Sequence, residues 1–187
     1  MFAERLQVAF EAWTDLDKRG RLRLSDAEVD WQVYDLLGYG LLTADVFVYL
    51  WCISFAVRNI DVNRLFKRLC DFYFMWCDGT YIDKMPSENL PQRKMIQLKE
   101  VSISKGLRQV DIYAGLNVLA LLVGLYRDSK SRQGRVQSQF TFHPCSIQNE
   151  HNKLDARKLL DARKLLRVFL YSQGVGIDPF TMDFLLS

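Results

Sequence analysis

The sequence has few of the residues that interrupt regular secondary structure. Only 4 prolines and 10 glycines occur among 187 residues, while hydrophobic residues make up 49% of the chain. Because glycine and proline are the strongest breakers of helices and strands, their scarcity favours long regular elements. The 12 Phe, 8 Tyr and 4 Trp supply enough apolar surface for a packed core. We therefore expect a globular chain made mostly of helices.

Residues that carry common catalytic chemistry are also scarce. There are only 2 histidines, and the 4 cysteines show no C-x-x-C spacing. A structural zinc site normally needs four Cys or His ligands, so we expect no zinc site and read the cysteines as free thiols. The chain has no glycine-rich phosphate loop and no H-E-x-x-H motif. Because these catalytic motifs are absent from the sequence, we expect that the protein is not an enzyme.

Charge and hydropathy limit which partners the protein can bind and where in the cell we expect it. The net charge of +3 comes without a dense basic block, so we expect no nucleic-acid binding. The first ten residues lack the basic start and apolar run of a signal peptide, which favours an intracellular, cytoplasmic or cytoskeletal protein and leaves an organelle open. The most apolar run, residues 112–126, is shorter than the ~20 residues that span a bilayer. It predicts a buried core helix, with peripheral membrane attachment as an alternative.

One stretch between two predicted helices combines carboxylates with a glycine at regular spacing. Counted from Asp15 as position 1, acidic side chains also occupy positions 3 (Asp17) and 12 (Asp26). Glycine occupies position 6 (Gly20) and leucine position 8 (Leu22). A calcium loop of 12 residues presents its oxygens from positions 1, 3, 5, 7, 9 and 12 and needs glycine at 6 for its sharp turn. Residues 15–26 therefore resemble the loop of the EF-hand family. The resemblance implies a metal site with these ligands: Asp15, Asp17, Arg21 through its carbonyl, and Asp26.

Several residues of this loop depart from the family pattern. Arg19 and Arg23 occupy positions 5 and 9, where oxygen-bearing side chains are usual. The loop carries three arginines and one lysine, whose charges oppose a divalent cation by roughly a kcal/mol each. The stretch Ser25–Glu28 also has the S-x-x-E pattern of a capping box, which is an ordinary helix start. We therefore expect either no cofactor or a weakly bound calcium or magnesium ion.

A second loop is predicted near residues 53–64. Ile60 followed by Asp61 resembles the end of an EF-hand loop, and Ile60 lies 38 positions after Leu22. In paired EF-hand loops, the position-8 residues form a short antiparallel bridge, so the resemblance implies that Leu22 pairs with Ile60. No carboxylates precede Ile60 at the ligand positions, which predicts that this loop is free of metal.

The apolar periodicity predicts the helices and their grouping. The predicted helices cover residues 2–14, 26–37, 43–57, 61–76, 94–101, 105–128 and 154–170. We expect an all-α fold of paired EF-hand-like helix-loop-helix units in two lobes. The first lobe is residues 1–85. The second is residues 92–187, which we expect to be helical with a basic insertion at 127–152; EF-hand character is one interpretation of this lobe.

These observations favour a non-catalytic EF-hand-like subunit that has mostly lost calcium binding. We expect a protein partner, either a helix in an apolar groove or the other subunits of an assembly. One alternative is a calcium sensor with a single functional loop at 15–26. Another is an organellar or ribosome-associated subunit that binds through the basic residues 127–135. If the helices at 43–57 and 107–126 were fully covered within the monomer, the argument for a large partner would weaken.

Overall fold

The computed structural model describes residues 2–50, 60–84 and 89–132. For residues 83, 84 and 126–132 it describes the backbone only. These residues belong to one compact unit, Met1–Phe140. They form six α-helices and one π-helical turn. In chain order these are α1 Phe2–Thr14, α2 Asp26–Leu37, α3 Ala44–Tyr49, α4 Val62–Cys77, the π-helical turn Thr80–Lys84, α5 Leu90–Glu100 and α6 Leu107–Arg132.

The predicted all-α class is confirmed for these residues, which contain helices and no strand. Local sequence signals explain where several helices begin. The hydroxyl of Ser25 accepts the N–H of Glu28 while the Glu28 carboxylate accepts the N–H of Ser25, which is the predicted capping box of α2. Asp61 and Asn89 cap α4 and α5 through their side-chain oxygens. Each cap satisfies a backbone donor that the first turn would otherwise leave unpaired.

The core lies where α6 packs against α2, α4 and α5, while α1 packs on α2 and α4. Its largest fully buried side chains are Leu6, Phe10, Trp13, Tyr34, Leu37, Leu50, Leu65, Leu69, Phe72, Leu121, Leu122 and Leu125. Within the described residues, Leu107–Leu125 is long and apolar enough to cross a membrane, and 61% of it is buried inside the protein. Burial against three other helices is the arrangement that the sequence predicted for a core helix.

The close packing of α4 on α6 depends on a glycine. The indole of Trp76 lies directly over Gly115, where an added Cβ would come within 2.1 Å of the ring atom Cε2. The indole Nε1 donates to the carbonyl of Asp111, one helical turn earlier, at 3.1 Å. A residue without a side chain is therefore required where this ring meets the backbone of α6.

Two predicted segments differ from the structure. The segment 43–57 was expected to be a buried helix; α3 covers only Ala44–Tyr49 and none of its residues is fully buried, whereas Leu50 is, and residues 51–59 lie outside the described part of the chain. The insertion 127–152 was expected to begin as a loop, but α6 continues to Arg132. A helix already well packed along its length continues into polar residues at little cost, because their side chains can face water.

The proposed division into two lobes stays a prediction, because most of residues 92–187 lies outside the described residues. Helices from both sides of the predicted boundary share one core. α6 contacts α2 and α4, and α5 contacts α2. The expected EF-hand character of residues 133–187 and the rest of the basic insertion likewise lie outside the description.

Candidate functional site

The loop between α1 and α2 is closed on itself as a small hairpin. Leu16 and Leu22 form an isolated antiparallel bridge. Next to this bridge, the N–H of Asp17 donates to the carbonyl of Arg21 at 2.7 Å, and the N–H of Arg23 donates to the carbonyl of Asp15 at 3.2 Å. Gly20 makes the turn with φ at +75°, the left-handed region that glycine adopts without steric cost.

Asp17 organises the tip of this hairpin. Its Oδ1 accepts the backbone N–H groups of Arg19 at 2.8 Å and of Arg21 at 2.9 Å. Its Oδ2 lies 3.1 Å from the guanidinium of Arg21. The backbone N–H of Arg21 is the main cause that lowers the pKa of Asp17, and Arg19, the Arg21 side chain and Arg23 lower it further. The carboxylate thus acts as an internal acceptor for the loop.

The other two predicted carboxylate ligands also lie beside arginines. The Nε of Arg23 is 3.0 Å from Asp15 Oδ2. Asp26, whose side chain is 85% exposed, lies 3.7 Å from Nη2 of Arg68 on α4. The described residues contain no group of three or more His, Cys, Asp or Glu that could hold a metal ion. Each of the three carboxylates thus lies beside an arginine, and metal binding by Asp15, Asp17, Arg21 and Asp26 stays a prediction.

The carbonyl of Arg21, the fourth implied ligand, accepts the N–H of Asp17. The expected bridge between Leu22 and Ile60 is absent, because Leu22 bridges Leu16 and Ile60 belongs to no bridge. A local bridge closes only a short loop, so its entropic cost is lower than that of a pairing across 38 residues. The loop therefore completes its own backbone pairing without a second loop.

Two arginines of α4 hold the end of α1 and the end of the hairpin. Nη1 of Arg64 lies 3.4 Å from the carbonyl of Thr14, the last residue of α1, and 3.0 Å from Asp61. Arg68 donates through Nη2 to the carbonyl of Leu24. Donors to these carbonyls satisfy acceptors that have no partner in the helix itself or in the hairpin.

A buried group of aromatic rings lies beneath the start of α2. The Tyr81 ring stacks on Phe72 with centroids 4.9 Å apart, and Tyr34 meets both rings edge-on. The hydroxyl of Tyr34 donates to the buried Asp111 carboxylate at 2.7 Å. Burial, followed by the neighbouring Asp111, raises the pKa of Tyr34 far above its ordinary value. These contacts give a neutral, rigid support to α2.

An open groove of about 550 Å³ runs along α1 and α2 on the outer surface. Its apolar lining residues are Val8, Ala9, Ala12 and Leu36, and its polar ones are Glu4, Arg5, Gln32 and Asp35. Val8 is 59% exposed. Gln32 accepts from the Trp13 indole at 2.7 Å, and Asp35 accepts from Lys94 at 2.6 Å. Gln32 and Asp35 are thus held in place by partners in the core and on α5.

Sequence reasoning identified the carboxylates of the hairpin but missed their arginine partners and the groove. The alternation of Asp17, Arg21 and Arg23 around Gly20 was a visible signal for internal ion pairing. The groove had no such signal, because it depends on how α1 and α2 pack against each other. Comparison with protein-family models, curated proteins and solved structures found no match to this chain.

Proposed function

We propose that this protein is a non-catalytic, EF-hand-like helical module that binds a protein partner as part of a larger assembly and does not need calcium. The observation that supports the proposal most directly is the pairing of the loop carboxylates with arginines. Asp15 lies 3.0 Å from Arg23, and Asp17 lies 3.1 Å from Arg21. The cationic side chains of the loop stand in for a metal ion by neutralising these carboxylates.

The groove along α1 and α2 is the surface we assign to the partner. Its lining includes small and apolar side chains flanked by polar ones, which suits the apolar stripe of an amphipathic helix. α6 is already covered by its own neighbours and offers no comparable surface among the described residues. We therefore assign the partner to the outer face of α1, where Val8 is exposed and lines the groove.

The alternatives have less support. A calcium sensor would require the carboxylates to leave their arginine partners and gather around the ion. Binding of RNA or protein through residues 127–135 has no described site, because residues 127–132 continue α6 and residues 133–135 lie outside the description. Neither alternative explains why both ends of the hairpin attach to α4.

Calcium titration of the full chain tests the metal-independent part of the proposal. Thermal unfolding and tryptophan fluorescence would be followed in chelator and at about 1 mM calcium or magnesium, a range that covers weak EF-hand sites. We expect no change in the melting temperature or in fluorescence. A rise in melting temperature that Asp15→Asn abolishes would contradict the proposal and favour the sensor.

Affinity capture with two matched variants tests the partner surface. Val8 and Val48 are equally exposed, at 59%, but only Val8 lines the groove. We expect a partner retained by the wild type and by Val48→Arg to be lost with Val8→Arg, because a buried charge opposes docking. Equal retention by both variants would remove the groove from the proposal and leave the result of the calcium titration unaffected.

A further inference from the structure

Cationic side chains are concentrated on α5, on the turn after it and on the start of α6, a region that we call the basic surface (residues 92–108). Residues 89–110 contain one carboxylate, Glu100, against five cationic residues: Arg93, Lys94, Lys99, Lys105 and Arg108. The whole chain, by comparison, has a net charge of +3. Lys94 is buried, with its Nζ 2.6 Å from Asp35, so the charge of the basic surface comes from the other four cations.

The outer face of α5 places an aliphatic side chain among these charges. Gln92, Ile96 and Lys99 follow one another at helical spacing, with Arg93 and Glu100 beside them, and all five are exposed. The Ile96 side chain is among the exposed large hydrophobic ones, at 47%. The other side of α5 packs on α2 and α6. The outer face is therefore a convex surface that combines apolar and cationic groups.

The turn after α5 adds a second exposed aliphatic side chain. The N–H of Ile103 donates to the carbonyl of Leu98 at 2.8 Å, and the N–H of Ser102 donates to the carbonyl of Lys99 at 3.0 Å. These two bonds are those of a Schellman motif, which requires the left-handed conformation that Ser102 takes with φ at 63°. The motif ends the helix at Val101, whose side chain stays 64% exposed next to Lys99.

Two cations of the basic surface lie over aromatic rings, which hold them without cancelling their charge. The guanidinium of Arg93 is 3.9 Å from the centre of the Trp31 ring, and Nζ of Lys105 is 5.4 Å from the centre of the Tyr113 ring. A ring carries no net charge, so these contacts orient the cations and leave them able to attract an anion.

We propose that the basic surface attaches the protein peripherally to an anionic lipid surface. Cations near anionic headgroups each contribute attraction, and the aliphatic side chains of Ile96 and Val101 enter the boundary between headgroups and acyl chains. A convex helix face suits a flat lipid surface, whereas a bound peptide is usually held in a groove. The groove described above is lined by residues of α1 and α2, and none of them belongs to the basic surface. Lipid attachment is therefore independent of the proposed partner site.

Sedimentation of the full chain with lipid vesicles tests the proposal. Vesicles of phosphatidylcholine alone would be compared with vesicles that also contain about 30% phosphatidylserine, at low salt and at about 0.5 M salt. We expect binding only to the anionic vesicles, and we expect salt to weaken it because ions screen the attraction. Lys99→Gln and Lys105→Gln should each reduce the partition coefficient about fivefold, the usual contribution of one cation near an anionic membrane. Lys18→Gln removes the same charge from the exposed tip of the hairpin and should leave the partition unchanged.

The aliphatic side chains distinguish a lipid surface from an acidic protein segment. Val101→Gln should reduce the partition coefficient about threefold, because the side chain enters the lipid. Val48→Gln, at a comparably exposed valine of α3, should have no effect. Thermal unfolding checks that each variant keeps the wild-type fold.

Three results would overturn the proposal. The first is no sedimentation with anionic vesicles, or equal sedimentation with neutral ones. The second is an equal effect of Lys18→Gln and Lys99→Gln, because the attraction would then come from the charge of the whole chain. The third is a loss of binding with Lys99→Gln but none with Val101→Gln, which would favour an acidic protein segment as the partner of the basic surface.

Discussion

The two connections that flank α2 are held by opposite means. The hairpin before α2 is closed by its own bridge and by exposed ion pairs, such as Arg23 with Asp15, whose side chains are 62% and 50% exposed. The connection after α2 is held by a residue from α6. The buried Asn117 donates to the carbonyls of Leu37 at 2.8 Å and Gly40 at 2.7 Å, and its Oδ1 accepts the N–H of Leu42 at 2.9 Å.

This difference separates local from tertiary causes of structure. Exposed ion pairs contribute little to stability, because water and salt screen them and ordering their side chains costs entropy. A buried amide whose hydrogen bonds are satisfied is different, because each partner would be left unpaired without it. We therefore expect the second connection to depend on one residue and the hairpin to depend mainly on its backbone conformation.

The largest expected effect comes from Asn117→Ala. The change would leave two carbonyls and one N–H of the 37–42 connection without their partner in the core. We expect the free energy of unfolding to fall by about 3 kcal/mol or more, since each unsatisfied buried group costs roughly 1–3 kcal/mol. Urea unfolding measures the loss, with Asn63→Ala on the exposed face of α4 as the control. A loss below about 0.5 kcal/mol would mean that water replaces the amide fully.

A smaller effect is expected from Gly20→Ala at the tip of the hairpin. The added Cβ meets no atom within 4 Å, so its only penalty is the positive φ of 75°. We expect a loss of about 1 kcal/mol, the usual cost of the left-handed conformation for a residue with a Cβ. Gly40→Ala is a matched control, because its Cβ is equally free and its φ is not in that range. An equal loss in both variants would show that backbone conformation is not the cause.

The smallest effect is expected from Arg23→Gln, which removes the exposed pair with Asp15. We expect the free energy of unfolding at low salt to change by less than about 0.5 kcal/mol, and the change to shrink further at high salt. Unfolding of Arg23→Gln, of Asp15→Asn and of the double variant gives the coupling energy between Arg23 and Asp15. A coupling above about 1 kcal/mol would show that side chains, and not mainly the backbone conformation, hold the hairpin.

The positions of most described helices could be predicted from local sequence. The apolar stripe of residues 2–14 became α1, and the Ser25 and Glu28 pattern became the cap of α2. The predicted burial of 43–57 holds for Leu50 but not for the residues of α3, which stay partly exposed. Apolar composition shows that a segment prefers to leave water, but the packing of the other helices decides whether it can.

For the candidate site, local sequence predicted the loop but not the partners of its carboxylates. The spacing of Asp15, Asp17 and Gly20 predicted an EF-hand-like loop; the structure contains a loop that turns at Gly20, and its EF-hand character stays a prediction. The choice between a metal and an arginine as the partner of each carboxylate depends on side-chain directions, which spacing does not give. The attachment of the hairpin to Arg68 joins residues 44 positions apart, and no local pattern predicts it.

The sequence by itself therefore determined the helical class, the capped start of α2 and the turn at Gly20, because these follow from periodicity, caps and backbone conformation within a few residues. Only the tertiary structure decided that Asn117 holds residues 37–42 and that the buried Arg68 binds the Leu24 carbonyl. Each depends on a side chain meeting a distant part of the chain away from water. There the cost of an unpaired polar group is high enough to select one arrangement.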